Sequence, residues 1–466
     1  MKLFNENLKI INIGLKSFKN DLEMQGQKVA QVNWTPSQIK NVELLDKLDD
    51  ILKDEKIKEA NKKAVKLILE STPFLVDIDY AKNVVPNLSD KMILHAGPPV
   101  TWENMAGPVK GAMIGACIYE GWAKDDKEAI KLIESGEVKF DCCHHHNTVG
   151  PMAGIVSPSM PVHVIENTKF GNKAYCTVNE GLGKVLRFGA YEESVINRLK
   201  WIESTYMPNL KKALKLSGPI DLRNITAQAL HMGDECHNRN KASTSLFFRE
   251  IAPYIVKVSK TEEELNEIFN FLQKNDHYFL NLSMPACKSS LDVARNVEYS
   301  TILTVMARNG FEFGIQISSL GNKWFTGKAE DIKGLYFPGY SEKDACPDLG
   351  DSAITETMGI GGFAMAAAPS IVQFVGGKVE DAISYSKSMY SITTDINNNY
   401  TIPNLNFKGT SLGIDLLKVI EKEIRPVINT GVAHKDAGVG QIGAGIVHAP
   451  MICFEKALEE YIKKYN

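Results

Sequence analysis

A polar run at residues 231–241 contains the side chains that acid–base chemistry needs. It separates two apolar segments, 227–232 and 246–251, whose composition predicts buried helix. The run holds two histidines, two acids, two amides and two cations: His231, Asp234, Glu235, His237, Asn238, Arg239, Asn240 and Lys241. A histidine acid or base, a carboxylate to orient it and cations to bind an anion are the parts of such a site. The alternative interpretation is a charged helix face in contact with solvent.

Gly233 decides how these side chains can be arranged. In one continuous helix, His231, Glu235 and Asn238 would share a face. A glycine inside a helix costs about 1 kcal/mol relative to alanine, which argues against that arrangement. A helix that ends near Gly233 and restarts would direct its free backbone N–H groups at an anion. The sequence therefore favours two helices joined by a polar turn.

A second cluster of potential ligands is the run Cys142, Cys143, His144, His145 and His146. On an extended segment His144 and His146 would point to the same side. Structural zinc sites usually take their ligands from spaced pairs, and five adjacent ligands cannot surround one ion without severe strain. We therefore predict no metal ligands here and no cofactor, although a divalent metal stays open. The favoured role of the histidines is to bind phosphate or carboxylate or to act as acid or base. The alternative is a hydrogen-bonded junction between domains.

Four further residues are candidates for binding the substrate or an anion. Arg187 lies in a glycine-punctuated loop. Arg308 and Asn309 lie at the predicted end of an apolar helix, where capping of the helix C-terminus is the alternative. Asp351 is a predicted helix N-cap that could also face a ligand. Residues 438–443 fit the pattern G-x-G-x-x-G but lack the strand before it and the helix after it, so they predict no nucleotide site.

The composition is that of an ordinary globular protein. The chain has 466 residues, of which 44% are hydrophobic and 23% charged, and its net charge is −3. This length predicts two or three domains. The slightly negative net charge does not indicate a protein that binds nucleic acid. Eight scattered cysteines predict reduced, intracellular thiols. The uncharged segment 357–377 is long enough to span a bilayer but is mostly Gly and Ala, so we expect a buried helix and a soluble, cytoplasmic protein.

Patterns along the chain predict a mixed α/β (α+β) fold. Residues 8–34 have a strand–helix–strand pattern typical of a Rossmann-like unit, and residues 277–286 are predicted to form a strand. We predict four domains: an N-terminal α/β domain at 1–90, an α/β core lobe with the Cys/His-rich loop at 91–190, a helical domain at 191–275, and a glycine-rich α/β lobe at 276–466.

Long motifs spread over essentially the whole chain resemble the AllG/YlbE-type family. They include INIGLKSFKNDLEMQG (11–26), LHAGPPVTWENMAGPVKGA (94–112), CHHHNTVGPMAGIVSPSMPV (143–162), NEGLGKVLRFGAY (179–191), AQALHMGDECHNRN (227–240), MARNGFEFGI (306–315), GLYFPGY (334–340) and INTGVAH (428–434). That family supplies one subunit of oxamate carbamoyltransferase. The resemblance therefore implies an enzyme of several different subunits.

The resemblance also implies a reaction and partners. Oxalurate and phosphate would be interconverted with oxamate and carbamoyl phosphate, in anaerobic allantoin degradation. The implied partners are an FdrA-type subunit and an AllH-type subunit, and a homo-oligomer is a further possibility. The Ser-Thr-Arg-Thr-Arg signature of aspartate and ornithine carbamoyltransferases is absent from this sequence, so the active site must differ from theirs.

The implied chemistry gives the polar turn specific roles. Attack of phosphate on the carbamoyl carbon of oxalurate forms a tetrahedral oxyanion, which needs preorganised donors, and the oxamate nitrogen needs a proton as it leaves. We expect His231 or His237 to be the general acid, oriented by Asp234 or Glu235. Asn238 would donate to the oxyanion.

Cations and the histidine run would hold the two anionic reactants together. We assign anion binding to Arg239, Lys241 and Arg187, with His144 and His146 on the opposite wall. Two rival functions stay open. A metal-dependent amidohydrolase would use the Cys/His run as ligands, and a non-catalytic scaffold would leave the chemistry to the FdrA-type partner.

Overall fold

The structure is a computed structural model that describes residues 9–32, 39 and 41–465. Its α-helices are α1 Lys16–Met24, α2 Val42–Ile51, α3 Glu55–Leu69, α4 Ala81–Val84, α5 Gly107–Tyr119, α6 Asp126–Glu134, α7 Glu193–Trp201, α8 Met207–Ser217, α9 Leu222–His231, α10 Lys241–Val258, α11 Glu262–Gln273, α12 Leu280–Asp292, α13 Ile354–Thr357, α14 Val372–Val375, α15 Val379–Met389, α16 Leu416–Lys422 and α17 Met451–Tyr465.

The β-strands of the described residues are β1 Ile10–Ile13, β2 Val29–Val32, β3 Pro73–Tyr80, β4 Met92–His95, β5 Lys139–Cys142, β6 Pro161–Asn167, β7 Lys173–Thr177, β8 Ile220–Asp221, β9 Leu303–Asn309, β10 Glu312–Ile317, β11 Phe325–Lys328, β12 Lys333–Tyr336, β13 Leu349–Gly350, β14 Thr393–Ile402, β15 Lys408–Ile414, β16 Val427–Ala433 and β17 Gln441–His448. The fold is therefore mixed α/β, as the sequence predicts.

The chain forms two compact units, Met1–Asp46 and Lys47–Asn466. In the first unit β1 pairs in parallel with β2, with Ile10 opposite Val29, and α1 connects them. This confirms the predicted strand–helix–strand, although residues 33 and 34 of its second strand lie outside the described residues. The division at residues 90, 190 and 275 stays a prediction.

The second unit contains several small sheets. Two four-stranded sheets, in the orders β7-β6-β3-β8 and β11-β10-β9-β13, are antiparallel throughout. The three-stranded sheet β12-β17-β16 and the pair β14-β15 are also antiparallel, whereas β4 and β5 pair in parallel.

Two sequence-based predictions of secondary structure, both for buried segments, are wrong. Residues 277–286 are not a strand, because α12 begins at Leu280 and continues through Pro285. Twelve of its thirteen residues are buried, so no polar face reveals the helical period. Arg308 and Asn309 end the strand β9 rather than a helix, and every residue of that strand is buried too.

The segment 357–377 is largely buried, as expected, but it is not one helix. A 3-10 turn at Gly361–Ala367, a second at Pro369–Ile371 and the four-residue α14 share it. Gly361 has a φ of +58°, a backbone conformation that ends helical geometry. In the part of the chain that the structure describes, no helix combines the length and the apolar character needed to cross a membrane.

Candidate active site

The polar run forms a tight turn between two helices. α9 ends at His231 and α10 begins at Lys241. Gly233 has a φ of +81°, and Cys236 adopts a φ of +62° that non-glycine residues rarely occupy. The predicted break near Gly233 is therefore confirmed. Strained backbone of the kind seen at Cys236 persists only where neighbouring contacts enforce it.

Asp234 and Glu235 supply those contacts. The carboxylate of Asp234 accepts hydrogen bonds from the backbone of Cys236 and from the backbone and hydroxyl of Ser243, in the first turn of α10. The carboxylate of Glu235 accepts from the backbone N–H groups of Asn238 and Arg239. Both acids are buried, and they hold the turn in shape by capping its backbone donors.

Burial and the neighbouring Asp234 charge raise the pKa of Glu235 to about 7. The amide of Asn429, on β16, also donates to this carboxylate at 3.0 Å. Glu235 thus links the turn to the C-terminal strands, and its protonation changes near neutral pH.

His237 forms a buried dyad with Glu356 on α13. Its Nδ1 lies 2.7 Å from Glu356 Oε1, and both side chains are almost wholly buried, at 4% and 0% exposure. The same carboxylate accepts from the backbone N–H of Gly362 and from the hydroxyl of Thr355. Because a carboxylate has no proton to donate, Nδ1 carries it, and Nε2 of the neutral ring is left as an acceptor. A carboxylate that fixes the tautomer of a histidine is a general acid–base arrangement.

The contact between His237 and Glu356 requires a glycine at position 361. A Cβ at this position would lie 2.3 Å from Glu356 Oε1 and 3.0 Å from the Cβ of His237. Any side chain here would therefore displace the carboxylate. The backbone N–H of Gly361 also donates to the carbonyl of Glu235, which ties the loop after α13 to the polar turn.

The other members of the polar run differ in burial and in their partners. The side-chain N–H₂ of Asn238 is buried without a hydrogen-bond partner. Arg239 is half-buried and donates through Nε to the carbonyl of Gly233. Lys241 is exposed and pairs with Asp276. His231 lies on the surface, where Nε2 contacts the hydroxyl of Thr401 at 2.8 Å.

Arg308 is fully buried with all of its donors in use. It forms a two-point ion pair with Asp348, at 2.6 and 2.8 Å, and donates to Gly350, Ser352 and Thr430. A guanidinium has five N–H groups, and these five contacts occupy them. The geometry leaves none for a substrate anion.

The side chain of Asn309, next to Arg308, also forms its hydrogen bonds within the protein. Its amide donates to the carbonyl of Pro98, and its oxygen accepts from the backbone N–H groups of Phe311 and Glu312. This amide closes the turn between β9 and β10.

His144 and Asp351 meet in the interior. His144 Nε2 lies 3.4 Å from Asp351 Oδ1, and both side chains are 0% exposed. The backbone N–H groups of Gly97 and Gly150 donate to the two carboxylate oxygens of Asp351. On its other side, His144 Nδ1 lies 3.4 Å from Nζ of Lys288. Burial lowers the pKa of His144, and the Lys288 charge lowers it further. Asp351, His144 and Lys288 thus form a buried chain with the imidazole between an acid and an amine.

His145 and His146 point away from that chain and share Asp141. His145 Nδ1 lies 2.9 Å from its carboxylate, and His146 Nε2 lies 3.3 Å from it. Asp141, Cys142 and His145 also bring three potential metal ligands within 4.8 Å of one another. Thiolate is the form that binds metal, but burial raises the pKa of Cys142 far above its usual value. This set is therefore a poor fit for zinc.

Arg187 occupies a separate buried position on a 3-10 turn that packs against α5. One Nη donates to the carbonyl of Gly181, whereas Nε is buried without a partner. His277 is half-buried. Burial lowers its pKa, and the charges of Arg187 and His237 lower it further. Arg187 and the dyad thus lie within electrostatic range of the same imidazole.

The structure brings several predicted residues together through one short segment. Asp348, Asp351 and Glu356 contact Arg308, His144 and His237 respectively. Sequence reasoning missed Glu356, Lys288 and His277. The acid in the otherwise uncharged stretch 352–377 was the one signal that could have indicated Glu356.

Comparisons with known proteins agree on one family. The profile described as "Oxamate carbamoyltransferase subunit AllG" matches residues 138–352. "Uncharacterized protein YahG" of Escherichia coli (strain K12) is 49% identical over 467 residues, covering 100% of this chain and 99% of the relative. "Oxamate carbamoyltransferase subunit AllG" of the same organism is 48% identical over 406 residues, covering 86% of this chain and 97% of the relative.

A solved structure is also similar. The crystal structure of a conserved protein of unknown function from Enterococcus faecalis V583 aligns with a TM-score of 0.87 at 50% identity. The alignment covers 88% of this chain and 99% of that chain. The fold described above is thus shared with an experimentally determined one.

Proposed function

The chain belongs to the AllG family, and on that premise we propose that it is one subunit of an oxamate carbamoyltransferase. The observation that carries the proposal is its 48% identity, over 86% of its length, to the Escherichia coli protein of that name. The reaction interconverts oxalurate and phosphate with oxamate and carbamoyl phosphate, in anaerobic allantoin degradation. The partners are an FdrA-type and an AllH-type subunit.

His237 is the proposed acid–base group. When phosphate attacks the carbamoyl carbon, the C–N bond to oxamate breaks and the departing nitrogen takes up a proton. The proton that phosphate carries passes to the imidazole, and the imidazole delivers it to that nitrogen. In the reverse direction Nε2 removes a proton from the oxamate amide. Glu356 holds Nδ1 at 2.7 Å and stabilises the imidazolium that forms between these transfers.

Asn238 is the proposed oxyanion donor. Its side-chain N–H₂ is buried, lacks a partner and follows His237 directly in the turn. A buried donor without an acceptor costs free energy, and a tetrahedral oxyanion would recover that cost in the transition state. Arg239, half-buried beside it, is the proposed phosphate ligand because its terminal guanidinium nitrogens make no hydrogen bond within the described residues.

Reconstitution tests the proposal. The chain is mixed with its two partner subunits, oxamate and carbamoyl phosphate are supplied, and oxalurate formation is followed while each subunit is omitted in turn. Activity that requires all three subunits and is lost with His237→Ala is expected. Activity that survives omission of this chain would make it accessory, and release of carbamate in a phosphate-independent reaction would favour an amidohydrolase.

A further inference from the structure

A small cavity next to Arg187 has the features of a built binding site. About 30 Å³ of space is enclosed by side chains that include Arg187, Glu180, Thr177 and Asn281. A water needs roughly 10–15 Å³ on this measure, so the cavity holds two or three non-hydrogen atoms. That is the size of a planar carboxylate group and too small for a tetrahedral phosphate.

Arg187 is a buried cation that the protein itself leaves incompletely satisfied. Its residue is 7% exposed, and its Nε–H has no hydrogen-bond partner. In the described residues no carboxylate lies within ion-pair distance of it, although the charge of the buried Glu180 acts on it; its guanidinium donates to the carbonyl of Gly181 at 2.8 Å and lies 5.1 Å from the centre of the Phe188 ring. A buried charge without a paired partner is costly, and an arginine edge with free N–H groups matches the two oxygens of a carboxylate.

Two other groups complete the chemistry of the cavity. The hydroxyl of Thr177, on β7, makes no hydrogen bond within the described residues and is free to donate. Glu180 lines both this cavity and an open groove of about 660 Å³ beside it. Its carboxylate accepts from the backbone of Leu186, at 2.6 Å, and from that of Arg187, and a carboxylate has further acceptor positions for a ligand N–H.

We infer that Arg187 and Thr177 bind the carboxylate of the small acid substrate, while Glu180 accepts an N–H of its adjacent amide. The class of ligand is a carboxylate that carries an amide or ureido group on the neighbouring carbon, as oxamate and oxalurate do. The inference rests on the proposed function and deepens it, because it separates the carboxylate position from the phosphate position. Asn281 contributes chiefly shape: it donates one N–H to the carbonyl of Thr177 and accepts from the amide of Asn179 through its oxygen, which fixes its orientation.

Two variants test the site without removing its shape. Arg187→Met keeps a long side chain and removes the charge; replacing an unpaired buried cation by an apolar group need not lower stability. Thr177→Val is isosteric and removes the hydroxyl alone. We expect oxamate affinity to fall about 10- to 100-fold in the first variant and about two- to tenfold in the second. Arg249→Met, which changes an exposed arginine on α10, is the matched control.

The assay is calorimetric titration of the full chain, and of the assembled complex, with sodium oxamate and separately with inorganic phosphate. The expected result is weaker oxamate binding with unchanged phosphate binding in Arg187→Met. Oxamate binding that survives Arg187→Met, a selective loss of phosphate binding, or no oxamate binding by either the chain or the complex would each overturn the inference.

Turnover separates this inference from the proposed function. Selective loss of oxamate binding in Arg187→Met, with no carbamoyl transfer in any subunit mixture, would support the site and refute the transferase. Carbamoyl transfer with an unchanged KM for oxamate in Arg187→Met would refute the site and leave the transferase standing.

Discussion

Glu356→Gln is the change that most directly tests the proposed dyad. In the native protein both oxygens of Glu356 accept hydrogen bonds in a fully buried setting, from His237, Gly362 and Thr355. Glutamine keeps the volume and one acceptor but removes the charge that stabilises an imidazolium. The bond to His237 therefore changes from charge-assisted, worth about 1.5–3 kcal/mol, to neutral, worth about 0.5–1.5 kcal/mol.

That difference sets limits on the kinetic effect. A loss of about 1–1.5 kcal/mol in the transition state lowers kcat about tenfold, which is the smallest effect the geometry allows. Complete loss of proton transfer in His237→Ala is expected to cost about 10²–10⁴-fold, which is the largest. The KM values are expected to stay within about threefold of the native ones, because neither group is assigned to ground-state binding.

The assay is steady-state turnover of the assembled complex for both single variants and for the double variant. Because the two groups act as one unit, the double variant is expected to be no slower than His237→Ala alone. His448→Ala, which alters a half-buried histidine on β17, is the control. A Glu356→Gln enzyme within about twofold of native kcat would refute the reasoning, as would a double variant whose loss is the product of the single losses. Loss of turnover in His231→Ala rather than His237→Ala would identify the other histidine as the acid.

Three further outcomes follow from the same contacts. The folded pKa of Glu235 is raised from 4.5 to about 7, so its contribution of about 3 kcal/mol is complete below pH 4.5 and is lost as the pH rises through 7; Glu235→Gln is expected to flatten the pH dependence of the unfolding free energy across that window. Asp348→Ala leaves Arg308 as an unpaired buried charge, and chemical denaturation is expected to show a loss of about 3–5 kcal/mol. Elemental analysis of the purified protein is expected to find no stoichiometric zinc, because burial disfavours the Cys142 thiolate that would bind it; one zinc per chain would contradict this.

The polar turn could be predicted from the sequence because its determinants are local. Gly233 interrupts the helical pattern, and the backbone of the described turn bends there with a positive φ. Asp234 and Glu235 follow within two residues, and their contacts are chiefly to N–H groups a few positions later in the chain. Local signals of this kind survive in any tertiary setting, whereas the roles of the two acids depend on which donors the fold supplies.

The partner of His237 could not be predicted in the same way. Glu356 lies 119 positions along the chain, and only the packing of α13 against the turn brings the two side chains together. The secondary-structure predictions for two segments are wrong for a related reason. α12 and β9 are buried on all sides, so neither the period of 3.6 nor the period of two is visible in their hydrophobicity.

The segment 348–356 explains why the predicted residues form connected groups and not independent sites. Its three acids, Asp348, Asp351 and Glu356, contact a cation or imidazole from three distant parts of the chain. Each acid is buried, so removing its partner would leave a buried charge unpaired, which is costly. The segment cannot shift to satisfy one partner without loosening the others. Substitutions at Arg308, which touches no proposed substrate, should therefore lower turnover through His237, and their effects should not add to those of Glu356→Gln.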